Sequence, residues 1–238
     1  MIERVNKFGQ PIGAALPHWT PASIPQRVTL AGSYCSLAPL ERTHAADLFR
    51  AYSQANDDSM WTYLRHGPFK TLAEYETWVE AAITNEHAIT YAVLDSDTQR
   101  PLGTLALMRI DPDNGSIEVG NVTFSPAMQG SRISTEAQFL AMKYVFNTLG
   151  YRRYEWKCDS LNLPSRRTAQ RLGFQYEGTF RNAMVYSGRS RDTAWYSITD
   201  IEWTLLEPVF QRWLQPENFC GNKQVHSLVT LRELHQGS

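Results

Sequence analysis

Residues 122–150, VTFSPAMQGSRISTEAQFLAMKYVFNTLG, constrain this chain more than any other stretch. They read as the end of a strand, a short polar loop and a helix over 134–149. That helix carries Ala137, Phe139, Leu140, Met142, Val145, Phe146 and Leu149, apolar on nearly every side. A helix of this kind has to be buried against a sheet, and Gly150 ends it. The mouth of such a helix presents backbone N–H groups without partners, and the aligned peptide dipoles add partial positive charge. Gln129 to Ser134 suits a phosphate at that place. Gly130 allows close backbone approach, Ser131 and Ser134 bring hydroxyls, Arg132 brings a cation, and no carboxylate intervenes. A second strand, Arg153–Asp159, and a second helix start over 162–167 follow. Two strand-to-helix units in a row, the first opening on an anion-receiving loop, point to an enzyme that holds a phosphorylated cofactor.

Around this centre the periodicity predicts the order β-α-α-β-β-β-α-β-α-β-β. Residues 1–27 hold Pro11, Pro17, Pro21 and Pro25, so they read as an extended arm that packs through Ile12, Leu16 and Trp19. The first strand falls within 28–37. Thr43 caps a helix through Ala45, Leu48, Phe49 and Tyr52, and Thr71-Leu-Ala-Glu74 matches a capping box for a second helix. Alternating segments at 89–94, 102–110 and 116–124 lead into the central loop. Strands at 175–186 and 193–198, a helix over 200–213 and an appendage over 215–238 complete the chain. One α+β domain is expected over 28–214.

Composition narrows the function classes. A formal net charge of −1 over 238 residues argues against wholesale nucleic-acid binding. Cys35, Cys158 and Cys220 are odd in number, far apart and without metal-pair spacing, so they read as reduced thiols. No apolar run approaches membrane-spanning length, and no signal-like core opens the chain. The expectation is therefore a cytoplasmic protein, monomer or homodimer, with no metal and no membrane partner. Walker, G-x-S-x-G, H-E-x-x-H and G-x-G-x-x-G patterns do not occur.

The run Gln129-Gly-Ser-Arg-Ile-Ser-Thr-Glu136 resembles the R/Q-x-x-G-x-G/A acyl-CoA loop of the GNAT superfamily of N-acetyltransferases. Asn162-Leu-Pro-Ser165, closing in Arg171-Leu-Gly-Phe174, looks like its second CoA motif. The pairing is most similar to the branch that includes the ribosomal-protein N-terminal acetyltransferases, and it covers about Tyr34 to Ile198. It implies a mostly antiparallel, twisted sheet whose central strands splay to admit acetyl-CoA as cosubstrate. It further implies that Phe124, Gln129, Gly130, Ser131, Arg132, Ile133, Ser134, Asn162, Ser165 and Arg167 bind that cosubstrate. Three positions depart from the pattern: Arg132 replaces a glycine, Ser134 a glycine or alanine, and Ala169 the tyrosine that often serves as general acid.

Acetyl transfer to an amine needs a neutral amine, a polarised thioester carbonyl and a stabilised leaving thiolate. A backbone N–H near Phe124 meets the second need. Glu118 is the candidate base, because strand alternation places it with Gly120, Val122 and Phe124, where apolar neighbours raise its pKa. A partly exposed strand-end glutamate is the competing reading. The resemblance assigns the leaving sulfur to Ser165. Trp61, Trp156 and Asp192 are candidates for the acceptor pocket, the last through attraction of a cation, and Cys158 reads as buried. The expected function is N-acetyltransfer by direct attack in a ternary complex. The acceptor is a protein N-terminus, a lysine or a small amine. Two alternatives remain: a CoA-binding protein of the same fold that has lost catalysis, and an RNA-contacting protein. Between Arg152 and Arg191 nine Lys/Arg face three Asp/Glu, which is the signal for the last.

Overall fold

In the computed structural model, which describes residues 4–221 and 223–236, the alternating segments build one eight-stranded sheet. Residues 1–3 and 237–238, parts of the expected arm and appendage, lie outside the described residues. The arm forms a small hairpin of β1 (Arg4–Val5) and β2 (Pro11–Ile12). Ile12 and Leu16 are about half exposed, so of the three expected anchors only Trp19 holds: its Nε1 donates to the Asp113 carbonyl at 3.0 Å.

The single strand expected over 28–37 is two, β3 (Leu30–Ala31) and β4 (Cys35–Pro39), because the chain turns at Gly32. The turn is made around Glu136, whose carboxylate accepts the N–H groups of Ser33, Tyr34 and Cys35 at 2.8, 2.6 and 2.7 Å. A Cβ on Gly32 would lie 2.6 Å from Glu136 Cδ, so only glycine fits there.

Helix α1 (Ala45–Tyr52) is not capped by Thr43. Glu41 and His44 satisfy each other instead, with Glu41 N donating to His44 Nδ1 at 3.1 Å. Helix α2 (Leu72–Ile83) starts as the sequence implies, Thr71 Oγ1 accepting Glu74 N at 3.3 Å. The reciprocal half of that capping box shifts one residue upstream, to Lys70 N. Strands β5 (Ala88–Asp95), β6 (Pro101–Asp111) and β7 (Ser116–Phe124) follow. Helix α3 (Arg132–Lys143) starts two residues before the expected 134, since Ser131 is its cap, and runs into a π turn over Tyr144–Thr148.

Then come β8 (Arg153–Asp159), α4 (Leu163–Leu172), β9 (Gln175–Tyr186), β10 (Arg189–Thr199) and α5 (Asp200–Trp213). The tail carries β11 (Phe219–Cys220), β12 (Lys223–Gln224) and α6 (Leu228–Gln236). Leu228 and Leu231 of α6 are buried in the main core.

Strand order in the sheet is β3-β4-β5-β6-β7-β8-β10-β9, antiparallel except for the parallel pair β7–β8. Alternation along each strand assigns its two faces. Tyr91, Ile117, Tyr154, Trp156, Ala194 and Tyr196 pack in one core with α3, α4 and α5. Ala92 faces the other way, into a second core made by α1, α2 and the segment between them. Those two helices lie over β5 and β6, so among the described residues no helix packs closely on the same face of β8, β10 and the start of β7. That uncovered face carries Glu118, Lys157, Thr193 and Trp195.

Candidate active site

β7 and β8 pair only from Ser116↔Arg153 to Val119↔Trp156. Beyond that point β7 turns away, and its own sequence register shows why. Between the pairs Ala106↔Gly120 and Thr104↔Thr123, β7 holds one residue more than β6, and Asn121 sits there at φ 49°. A bulge of this kind bends its strand and ends regular pairing. It also breaks the expected single face of Glu118, Gly120, Val122 and Phe124. The backbone edge of 120–124 is left facing a gap, and a cavity of about 1240 Å³ runs through that gap from one side of the sheet to the other.

On the α3 side the loop opens the cavity. Gly130 has φ 69°, a left-handed conformation that glycine adopts without strain. The N–H groups of Gly130, Arg132 and Ile133 carry no hydrogen bond among the described residues. The polar side chains around them are mostly occupied. Gln129 Nε2 donates to the Phe124 carbonyl at 2.9 Å, and Ser131 Oγ donates to Met128 O at 2.6 Å while accepting Ser134 N. Ser134 Oγ donates to Ser131 O at 2.7 Å. The expected hydroxyl donors therefore shape the loop, and the free donors are amides. Gln129, Gly130, Arg132 and Ser134 line the cavity, whereas Ile133 packs on the core. The Arg132 guanidinium lies between the rings of Tyr34 and Phe219, 4.7 Å from each centroid.

Helix α4 supplies the second wall. Asn162 Oδ1 caps it by accepting Ser165 N at 3.1 Å, and Pro164 occupies its first turn. The cavity face is Pro164, Thr168 and Arg171, at helical spacing. Arg167, expected to contact the cosubstrate, is exposed outside the cavity, whereas Arg171 lines it. Arg171 Nη1 donates to Thr135 Oγ1 at 3.1 Å, its guanidinium lies 5.2 Å from the Trp213 ring, and burial pushes its pKa down. Trp213 at the end of α5 and Phe219 and Lys223 of the tail extend this wall, a contribution that no local sequence pattern announces.

Where the strands part, Trp156 Nε1 donates to Ser165 Oγ at 3.0 Å. Trp156, expected in the acceptor pocket, lines the cavity; its ring is largely buried against Phe174, and its indole positions Ser165. With its oxygen accepting from Trp156, the Ser165 hydroxyl retains its own proton to donate. Burial pushes the Cys158 thiol up, against the opposing pull of Ser165 and Arg191, which keeps it protonated.

On the uncovered face stands Glu118. Its Oε2 lies 2.9 Å from both Arg109 Nε and Lys157 Nζ, so its neighbours are cations and not the apolar groups expected. Burial nevertheless pushes its pKa up, against the pull of Lys157 and Arg109. Lys157 also bonds Glu155 at 2.7 Å and rests 3.7 Å from the Trp195 ring centroid. Two acceptor candidates fall elsewhere. Trp61 is core, packed edge-on against Tyr52 and Phe69. Asp192 accepts Asn182 N at 2.7 Å and ties β9 to β10 outside the cavity. Tyr63, an aromatic candidate for the pocket lining, lines the cavity; Arg65 beside it, Phe180, Met184, Arg191 and Thr193 are lining residues that sequence reasoning missed. The segment bearing the first two is tied down across the cavity. Tyr63 Oη donates to Leu161 O at 3.3 Å, and Arg189 Nη2 donates to Thr62 O at 3.1 Å. Among the described residues no group of three His, Cys, Asp or Glu is placed to hold a metal ion. None of the described helices is long and apolar enough to cross a membrane.

Comparison with known proteins adds the following. The family model described as an acetyltransferase (GNAT) domain matches residues 36–175. A solved GCN5-related N-acetyltransferase from Brucella melitensis superposes with a TM-score of 0.90 at 44% identity, over 92% of this chain and 100% of that one. A curated relative, the uncharacterized N-acetyltransferase p20 of Bacillus licheniformis, is 25% identical over 62% of this chain and 84% of its own length. The microcin C7 self-immunity acetyltransferase MccE, solved in complex with acetyl-CoA and AMP, shares the fold. Its TM-score is 0.61 at 23% identity, over 71% of this chain and 93% of that one.

Proposed function

The chain belongs to the GNAT acetyltransferase family, and we propose that it moves an acetyl group from acetyl-CoA to a primary amine by direct attack in a ternary complex. The observation that carries this reading is the set of free amides at the mouth of α3, opening into a cavity that passes between β7 and β8. Gly130, Arg132 and Ile133 N–H groups suit a diphosphate. Arg171 and Lys223 add charge for the nucleotide's remaining phosphate, and Phe219 and Trp213 offer aromatic surface beside it. The related fold of MccE, solved with acetyl-CoA, supports this placement.

At the parting of the strands, unpaired amides of 120–124 face the thioester and polarise its carbonyl. Glu118, its pKa raised, takes the proton released as the amine nitrogen bonds the carbonyl carbon. The carbon–sulfur bond breaks, and Ser165, oriented by Trp156, donates a hydrogen bond to the departing sulfur. Arg109 and Lys157 hold the Glu118 carboxylate in place and moderate its basicity. Ser165 covers the role of the tyrosine absent at Ala169.

Substitution of Arg132, the first residue of α3, tests the amide claim. Its predecessor Ser131 is already extended, and proline is tolerated at this position. Arg132→Pro therefore removes the N–H with the helix intact, while Arg132→Ala removes only the side chain. Titration calorimetry is expected to show CoA binding about ten-fold weaker for the proline than for the alanine variant, the worth of one charge-assisted hydrogen bond. Equal affinities would place the diphosphate elsewhere. Thiol release from acetyl-CoA across a panel of amines completes the test, and binding with no turnover for any amine would leave a CoA-binding protein.

A further inference from the structure

The acceptor side of the cavity holds more positive charge than its carboxylate balances. Arg65, Arg109, Lys157 and Arg191 line it, against Glu118 alone. The chain as a whole is close to neutral, so this segregation is local. Arg109 and Lys157 are engaged with Glu118, and Lys157 also with Glu155, which Arg153 holds as well. Arg191 is different. It is 8% exposed, and among the described residues it forms no ion pair. Its Nε makes no hydrogen bond, and its guanidinium lies 5.8 Å from the Tyr186 ring centroid. Next on the same face of β10 stand Thr193, 4% exposed, and Trp195, and neither Thr193 Oγ1 nor Trp195 Nε1 makes a hydrogen bond. Asp159, paired across the sheet with Thr193, is already occupied by the Tyr186 hydroxyl and the Leu161 amide. Burying a guanidinium with no direct ion-pair partner is costly, and an arriving anion offsets that cost.

The cosubstrate's phosphates do not supply that anion. They have Arg132, Arg171 and Lys223 on the α3–α4 side, whereas Thr193 and Trp195 alternate away from Ala194 and Tyr196, which pack under α3, α4 and α5. The segment tied down by Tyr63 and Arg189 lines this wall from the far side of the cavity.

We propose that the acceptor is a small primary amine carrying a carboxylate or phosphate, its anionic group held by Arg191 and Arg65 and its amino group set against Glu118. This rests on the acetyltransferase reading above. A planar guanidinium matches either oxyanion with two parallel hydrogen bonds, and the opposed charges at the two ends of the pocket orient a zwitterion.

Matched pairs test it: amino acids against their amides, phosphoethanolamine against ethanolamine, with acidic and neutral hexapeptides beside them. Thiol release with the full chain is expected to favour the anionic member of at least one pair by about ten-fold or more in kcat/KM, and its pair says whether carboxylate or phosphate is meant. Arg191→Gln, and separately Arg65→Ala on its exposed segment, should shrink that ratio. Arg191→Lys should restore it in part, because the charge returns without the fork. Equal rates within every pair, faster turnover of either hexapeptide, or variants that lower both members alike would each overturn the proposal. Calorimetry of the same pairs on the CoA-bound protein separates the two claims. A binding preference for the anionic members without turnover sinks acetyl transfer and keeps the anion site, while no preference sinks the site.

Discussion

Glu118 and Glu136 are both buried glutamates, and their neighbours give them opposite tasks. Glu118 faces the cavity between two cations, its pKa raised by burial. A base acts when deprotonated, so kcat/KM is expected to rise with pH along a limb displaced above the ordinary carboxylate range. Glu118→Gln should lower the rate and abolish that limb in a pH–rate profile; an unchanged limb would assign the base elsewhere. Glu136 faces three amides of the β3–β4 turn. Glu136→Ala strands those donors in the interior and should cost about 3 kcal/mol or more, read as a fall in the urea midpoint at constant slope. Alternation in 116–124 sufficed to nominate Glu118. Nothing local marked the partners of Glu136, because they lie about a hundred residues away in sequence.

The segment over 58–66 shows what local patterns leave out. Its aromatic content was plain, yet Trp61 turned inward and Tyr63 outward, a division set by packing against α1 and α2. His66 ends this segment, its ring 4.8 Å from that of Trp78, and burial pushes its pKa down to about 4 from 6.5. The unfolded chain therefore takes up the proton first. Stability is full above the unfolded value and falls as pH drops from about 6.5 toward about 4, by on the order of 3 kcal/mol across the window. Urea unfolding at pH 7 and pH 5 should show the loss, and His66→Phe should flatten it; an equal slope in the variant would rule His66 out as its source. Helix α4 was legible almost whole, because its Asn162 cap, Pro164 and the left-handed Gly173 at φ 101° are local devices. The choice between Arg167 and Arg171 was not, since the two are one turn apart on neighbouring positions of the helix surface and only the packing around α4 decides which lines the cavity.

Three distant parts of the chain meet at the proposed nucleotide end of the cavity: Tyr34 near the first strands, Arg132 at the mouth of α3 and Phe219 in the tail. Phe219→Ala and Lys223→Ala are each expected to weaken CoA binding several-fold, with the Lys223 effect absent for CoA lacking its ribose phosphate. If both ligands respond alike, Lys223 holds no phosphate. Strand order in the chain, the helix starts with local caps and the amide-bearing loop were all readable from residue spacing, because each depends on contacts within a few residues. The bulge at Asn121, the cations around Glu118, the isolated Arg191 and the tail's place in the site depend on contacts between distant segments. Spacing carries no information about which of those segments become neighbours, so the folded chain alone decided them.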